Sequence, residues 1–174
     1  TPLYSSAASD VYKRQISVTE QYAQYAVAGP NSRNLLEKIV DPEHDISNEA
    51  FPFMGAGAIT VCGGIPARLF RISFSGELAY EIAVPTRYGD ALMRAMMHAG
   101  EEFDVVPYGT EALGVMRIEK GHAAGPELNG QTSAYDLGMG GMVSGKKDFI
   151  GYKLGQREEL LRNCLLYTSD AADE

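Results

Sequence analysis

The chain has no tryptophan, only two cysteines, and fewer basic than acidic side chains, 15 against 23. Each scarcity excludes something. Cys62 and Cys164 stand far apart with no CxxC pair and no neighbouring histidine pair, so their spacing encodes neither a zinc site nor a disulfide framework. A reducing, cytoplasmic setting is expected. No apolar run approaches the roughly 20 residues of a membrane-spanning helix, and no charged-apolar-small signal peptide opens the chain. A net charge of −8 and a pI near 4.9 leave no general basic face, so neither nucleic acid nor an anionic membrane is expected as a partner. His44, His98 and His122 are scattered, without an HExxH pair, and Phe74-Ser-Gly-Glu77 lacks the spacing of a nucleophile elbow. Zinc-protease and serine-hydrolase chemistry have no signal.

What is present is a chain of 174 residues, 45% of them hydrophobic. Such a length buries roughly 70% of the surface its unfolded form exposes, so a core forms without staples. The ends read differently from the middle. Residues 1–15 and 164–174 are rich in Ser, Ala and Asp, show no sustained periodicity and look like translated adapter sequence. With no methionine near Ile16, the core 16–163 reads as an internal piece of a longer polypeptide. The expected organisation is an α+β core over 16–122 followed by a Gly-rich, irregular extension over 123–163.

Within the core, Tyr22-Ala-Gln-Tyr-Ala-Val-Ala28 alternates and stops at Gly29-Pro30, which predicts a strand. A helix over Ser32 to Val40 follows, with Asn31 or Ser32 as its cap, on the spacing of Leu35, Leu36, Ile39 and Val40. Ala58–Cys62 and Ala67–Ser73 predict a hairpin through Gly63–Pro66, and Ala79–Val84 a third antiparallel strand. Tyr88–Ala99 predicts a helix with Gly100 as its C-cap, then a short strand at Val105–Pro107, then a helix from Gly109 to Lys120 closed by Gly121. That order predicts an α+β fold close to a ferredoxin-like or split βαβ arrangement.

Gly140-Gly-Met-Val-Ser-Gly-Lys146 has the spacing of a phosphate loop up to its lysine. Lys147 stands where the magnesium-binding hydroxyl belongs, and no strand precedes it. Glu81 is more informative, because it interrupts an apolar strand that is expected to be at least half buried. A carboxylate there must find donors. One reading is a structural bond or ion pair to Arg71 or Arg117. The other is ligand recognition, since two acceptor oxygens in one plane match a heterocycle presenting a ring N–H beside an exocyclic amine, as a pterin or guanine does. In the following helix Glu111, Arg117 and Glu119 are interspersed with Leu113, Val115, Met116 and Ile118, so Arg117 can turn inward or serve an ordinary amphipathic element.

Three phrases occur in order: Ala26-Val-Ala-Gly-Pro-Asn-Ser32, Arg71-Ile-Ser-Phe-Ser-Gly-Glu-Leu-Ala-Tyr-Glu-Ile82, and Tyr108-Gly-Thr-Glu-Ala-Leu-Gly-Val-Met-Arg-Ile-Glu-Lys-Gly121. Together they resemble the aminomethyltransferase family of the glycine cleavage system. Ser47–Phe53, Pro107–His122 and Lys146–Gly151 are similar, within it, to the C-terminal folate-binding region of sarcosine oxidase alpha subunits. The resemblance implies that Glu81 is the pterin-binding glutamate, that Arg117 lies near the same pocket, and that Phe74 replaces a tyrosine of the glycine-cleavage enzymes, keeping a stacking ring without its hydroxyl. It also implies tetrahydrofolate as the cofactor. FAD, FMN and NAD are expected only elsewhere in the parent complex, other sarcosine oxidase subunits are its partners, and the carboxylate assisting chemistry at the folate nitrogen lies upstream. The catalytic residues of this chain stay unassigned. The implied parent is an oxidoreductase that demethylates sarcosine oxidatively and passes the one-carbon unit to tetrahydrofolate. Lys146, Lys147 and Arg71 are candidates at the rim for the anionic folate tail. Alternatives are a glycine cleavage aminomethyltransferase-like protein, a non-catalytic module for subunit contacts, and a folate-dependent RNA-modification or iron–sulfur-maintenance relative. The last is disfavoured by the acidic charge and by Glu119-Lys-Gly-His-Ala123, where that branch carries a cysteine.

Overall fold

The computed structural model describes residues 16–158. The expected tails, 1–15 and 164–174, and the last residues of the expected extension lie outside the described residues. Strand β1 (Tyr22–Ala28) leads to helix α1 (Ser32–Glu37). Strands β2 (Ala56–Val61), β3 (Ile65–Phe70) and β4 (Ala79–Pro85) follow, then helices α2 (Gly89–Gly100) and α3 (Thr110–Glu119). The strands form one antiparallel sheet in the order β1-β4-β3-β2. The α+β class is as expected. The ferredoxin-like plan would insert a helix between the third and fourth strands, whereas here an irregular loop, 71–78, joins β3 to β4 directly.

Period-two alternation divides the sheet into two unlike faces. Tyr80, Ile82 and Val84 of β4, Leu69 of β3 and Val61 of β2 are fully buried against Leu36 of α1 and Leu92 of α2. Each such side chain contributes about 1.5–3 kcal/mol of transfer free energy. Residues directly opposite across an antiparallel pair share a face. The second face therefore carries Ala79, Glu81 and Ala83 of β4, with Ala28, Ala26 and Gln24 opposite them on β1 and Phe70 opposite Glu81 on β3. It is built mostly of small side chains.

Several local expectations yield to tertiary contacts. Helix α1 stops at Glu37 instead of reaching Val40, because Val40 bridges to Val61, the Ile39 carbonyl accepts the Cys62 N–H at 2.7 Å, and the Asp41 N–H donates to the Thr60 carbonyl at 3.0 Å. The β-branched end of the helix is drawn onto β2. Neither Asn31 nor Ser32 caps the helix with its side chain; the buried Ser32 hydroxyl donates instead to the Leu78 carbonyl at 2.9 Å. The hairpin turns earlier than expected, at Cys62-Gly63-Gly64, all three with positive φ, and Pro66 falls inside β3 where that strand has no β4 neighbour. Such a position tolerates a missing N–H.

Val105–Pro107 is not a strand, and Gly100 is the last residue of α2 and not a left-handed cap. Its φ is −89°; the left-handed residue comes later, at Asp104 with φ 52°. Gly100 is small for another reason, since a Cβ there would lie 2.4 Å from Val105 Cγ1. Gly121 does close α3 as expected. It has φ 72°, its N–H reaches the Ile118 carbonyl at 2.8 Å, and the His122 N–H reaches the Arg117 carbonyl at 2.8 Å, the paired bonds of a Schellman motif.

The chain divides into two compact units, one ending at Met116 and one beginning at Arg117. The second holds short 3-10 turns at Gly125–Glu127 and Gly140–Met142 and a four-residue helix α4 (Tyr152–Gly155). Gly140–Lys146 follows no strand and opens no helix, so it is not a phosphate loop.

Candidate functional site

β4 places Glu81 on the small-residue face while Tyr80 and Ile82 on either side of it are fully buried in the core. Glu81 itself is partly buried. It lines a cavity of about 230 Å³ whose wall includes Ala26, Ala28 and Ala79, with Phe74 and Tyr108 contributing aromatic rings. The alanines matter because any larger side chain at those register positions would fill the space above the carboxylate. Phe74 is 38% and Tyr108 39% exposed, so part of each residue faces solvent.

Among the described residues, the carboxylate accepts a hydrogen bond from the side-chain amide of Gln24 on β1. Among the described residues of its own unit, no basic side chain forms an ion pair with it. Arg71, one expected structural partner and a candidate for the rim, is committed elsewhere: its guanidinium donates to the Phe51 carbonyl at 2.9 Å, and its backbone joins Met54 and Gly55. Its role is to fold the 51–55 segment back over the end of β3. Arg68 shares the Glu81 face but stacks over the Tyr22 ring, 4.6 Å from its centroid.

Arg117 belongs to the second unit. Its side chain is 13% exposed, and its Nη1 donates to Glu127 Oε1 at 2.8 Å and to the His122 carbonyl at 3.2 Å. The guanidinium holds the Glu127 carboxyl below the usual carboxylate range. Lys146 and Lys147 are exposed. The structure thus brings Glu81 and Phe74 to one cavity, and adds two residues that sequence reasoning missed. Gln24 could have been noticed as the lone polar side chain in an apolar-alternating strand. Tyr108 could not, since only the return of the 104–110 segment places it beside Phe74.

A second concavity of about 810 Å³ runs along β1 and shares Ala26, Ala28, Tyr108 and Leu113 with the Glu81 cavity. Its walls carry Met93, Met96 and Met97 of α2. Among the described residues no group of His, Cys, Asp and Glu could hold a metal ion, and no helix is long and apolar enough to cross a membrane.

A family model described as the GCVT N-terminal domain matches residues 5–147. The chain belongs to that family. It is 52% identical over 149 residues to sarcosine oxidase subunit alpha of Rhizobium meliloti (strain 1021), covering 84% of this chain and 15% of that protein. It is 48% identical over 147 residues to the subunit of the same name in Corynebacterium sp. (strain P-1), again over 84% of the chain and 15% of the relative. Human mitochondrial dimethylglycine dehydrogenase is 34% identical over 167 residues, 90% of this chain and 19% of that protein. The chain therefore spans less than a fifth of the length of these relatives.

Proposed function

We propose that this chain is the pterin-holding part of a tetrahydrofolate module in a sarcosine oxidase alpha-type protein. The observation that carries the reading is a carboxylate, Glu81, set in a cavity with small side chains around it and two aromatic rings in its wall. The residues fit the ligand chemically. An ionised carboxylate accepts only, and the aminopyrimidine edge of a pterin offers a ring N–H and an exocyclic amine side by side. Phe74 and Tyr108 offer ring surface for stacking. The cavity lies below the 300–1,000 Å³ of a usual small-molecule site, which suits a bicyclic head and not the whole cofactor. Similarity to sarcosine oxidase alpha subunits and to dimethylglycine dehydrogenase supports the same reading.

Tetrahydrofolate supplies the nucleophilic nitrogen that captures a formaldehyde-level carbon released by oxidative demethylation of a secondary amine. The part of this chain is to bind and orient the pterin. Holding it near the point of release raises the effective concentration of the acceptor and limits escape of the electrophile. Flavin and dinucleotide chemistry is expected elsewhere in the parent, and other subunits of a sarcosine oxidase are the partners of this reading. Arg117, through its bonds to Glu127 and the His122 carbonyl, keeps the end of α3 and the following turn in place.

Tetrahydrofolate titration by calorimetry into the full-length protein that carries this segment tests the reading. Glu81→Gln replaces one acceptor by a donor that faces the ligand's own donors, and affinity should fall by tenfold or more, on the order of the cost of a lost charged hydrogen bond. Equal affinity in the two proteins would overturn it.

A further inference from the structure

Glu81 stands among side chains that offer its carboxylate almost nothing to hold. Opposite it are Ala26 on β1 and Phe70 on β3, and along β4 on the same face are Ala79 and Ala83. Arg68 lies diagonally across on β3, yet its guanidinium covers the Tyr22 ring. An unrestrained glutamate side chain would sample several rotamers, and a ligand would have to freeze them at a cost in entropy.

Gln24 removes that freedom. It faces Ala83 in the β1–β4 ladder, which makes it the diagonal neighbour of Glu81 on the same face, within reach of long side chains. Its amide nitrogen donates to Glu81 Oε2. Because an ionised carboxylate only accepts, the amide must present its NH₂ end to it. We infer that Gln24 is a positioning residue for the Glu81 site: it pins one carboxylate oxygen and so presents the plane of the group, in one orientation, to the paired donors of the ligand. The inference rests on the pterin reading and adds to it a determinant that acts through Glu81. Gln24 is exposed and takes no part in the buried core, so its substitution leaves the fold intact.

The test is tetrahydrofolate binding to the full-length protein carrying this segment, compared with binding of a 2-deamino-2-methyl pterin analogue that lacks the exocyclic amine. Gln24→Leu, and the isosteric Gln24→Glu that puts an acceptor where the donor was, should each weaken tetrahydrofolate by about tenfold, the scale of one lost charge-assisted bond. Binding of the analogue should hardly change, because it makes only one of the two bonds that the fixed plane serves. A merely structural role for Gln24 would weaken both ligands alike, and that result overturns the inference. If Glu81→Gln weakens tetrahydrofolate while both Gln24 variants bind it as the wild type does, Gln24 is dismissed and the pterin reading stands. If Glu81→Gln binds normally, the pterin reading falls and the positioning role with it.

Discussion

The hydroxyl oxygen of Tyr80, a side chain with no solvent exposure, accepts a hydrogen bond from Arg33 Nε at 2.8 Å. The same Nε–H is shared with the Ile46 carbonyl at 3.0 Å, and Nη2 reaches Asn48 Oδ1 at 2.8 Å. One guanidinium thus satisfies a buried phenol and ties α1 to the 46–48 segment. Arg33→Ala strands the hydroxyl in the core, and should cost about 2–3 kcal/mol through the unsatisfied group and the lost bonds. Tyr80→Phe removes donor and acceptor demand together and should cost only about 1 kcal/mol. Urea unfolding of the two variants checks the order; a larger loss for Tyr80→Phe would contradict it.

Gly100 tests packing against propensity. Alanine in a helix is worth about 1 kcal/mol over glycine, yet a Cβ at this position would lie 2.4 Å from Val105 Cγ1 and 2.9 Å from Leu35 Cδ1. Overpacking of that kind costs about 1–3 kcal/mol, so Gly100→Ala should lower the melting temperature. Adding Val105→Ala to the variant should return part of the loss, because the clash is chiefly with that side chain.

The Asp41 carboxylate spans the β2–β3 turn, Oδ1 accepting the Gly63 N–H and Oδ2 the Gly64 N–H, each at 2.8 Å. The Thr60 hydroxyl and then these amides hold its pKa below the ordinary 3.8. A depressed folded-state pKa contributes stability that is complete above the unfolded value and is lost as pH falls through the folded one. Thermal melts between pH 5 and pH 2 should therefore show Asp41→Asn less stable than the wild type at pH 5, with the gap closing as the solution is acidified. A gap that stays constant with pH would rule out the linkage.

Phe74 separates stacking from hydrogen bonding at the proposed pterin site. Phe74→Ala removes one ring of the cavity and should weaken tetrahydrofolate by about 2–10-fold, the worth of one aromatic contact. Phe74→Tyr keeps the ring and should bind at least as well as the wild type. Isothermal titration of both variants reads the difference.

In the second unit, Glu127 accepts from Arg117 and, through Oε2, from the Ala124 N–H at 3.4 Å. Glu127→Ala should speed amide hydrogen exchange at Ala124 while the amides of the β1–β4 ladder keep their protection. Unchanged exchange at Ala124 would show that the turn holds without this pair.

How much of this was legible in the chain itself depends on how local the determining physics is. β1 and β4 were readable because alternation and the Gly29-Pro30 and Pro85 boundaries are local properties, and so was the Gly121 closure of α3, where a left-handed residue is required. Glu81 announced itself as a charge in an apolar strand. The early end of α1, the shifted hairpin and the reason for Gly100 were not readable, since each is set by a residue distant in sequence or by a contact across elements: Val61, Asp41 and Val105. The site divides in the same way. Residue type alone marked a carboxylate in search of donors, whereas its orientation by Gln24 and the convergence of Phe74 and Tyr108 on one cavity come from strand register and loop return. Those depend on which segments pair and pack, a choice made by burial summed over the whole sheet and carried by no single stretch of sequence.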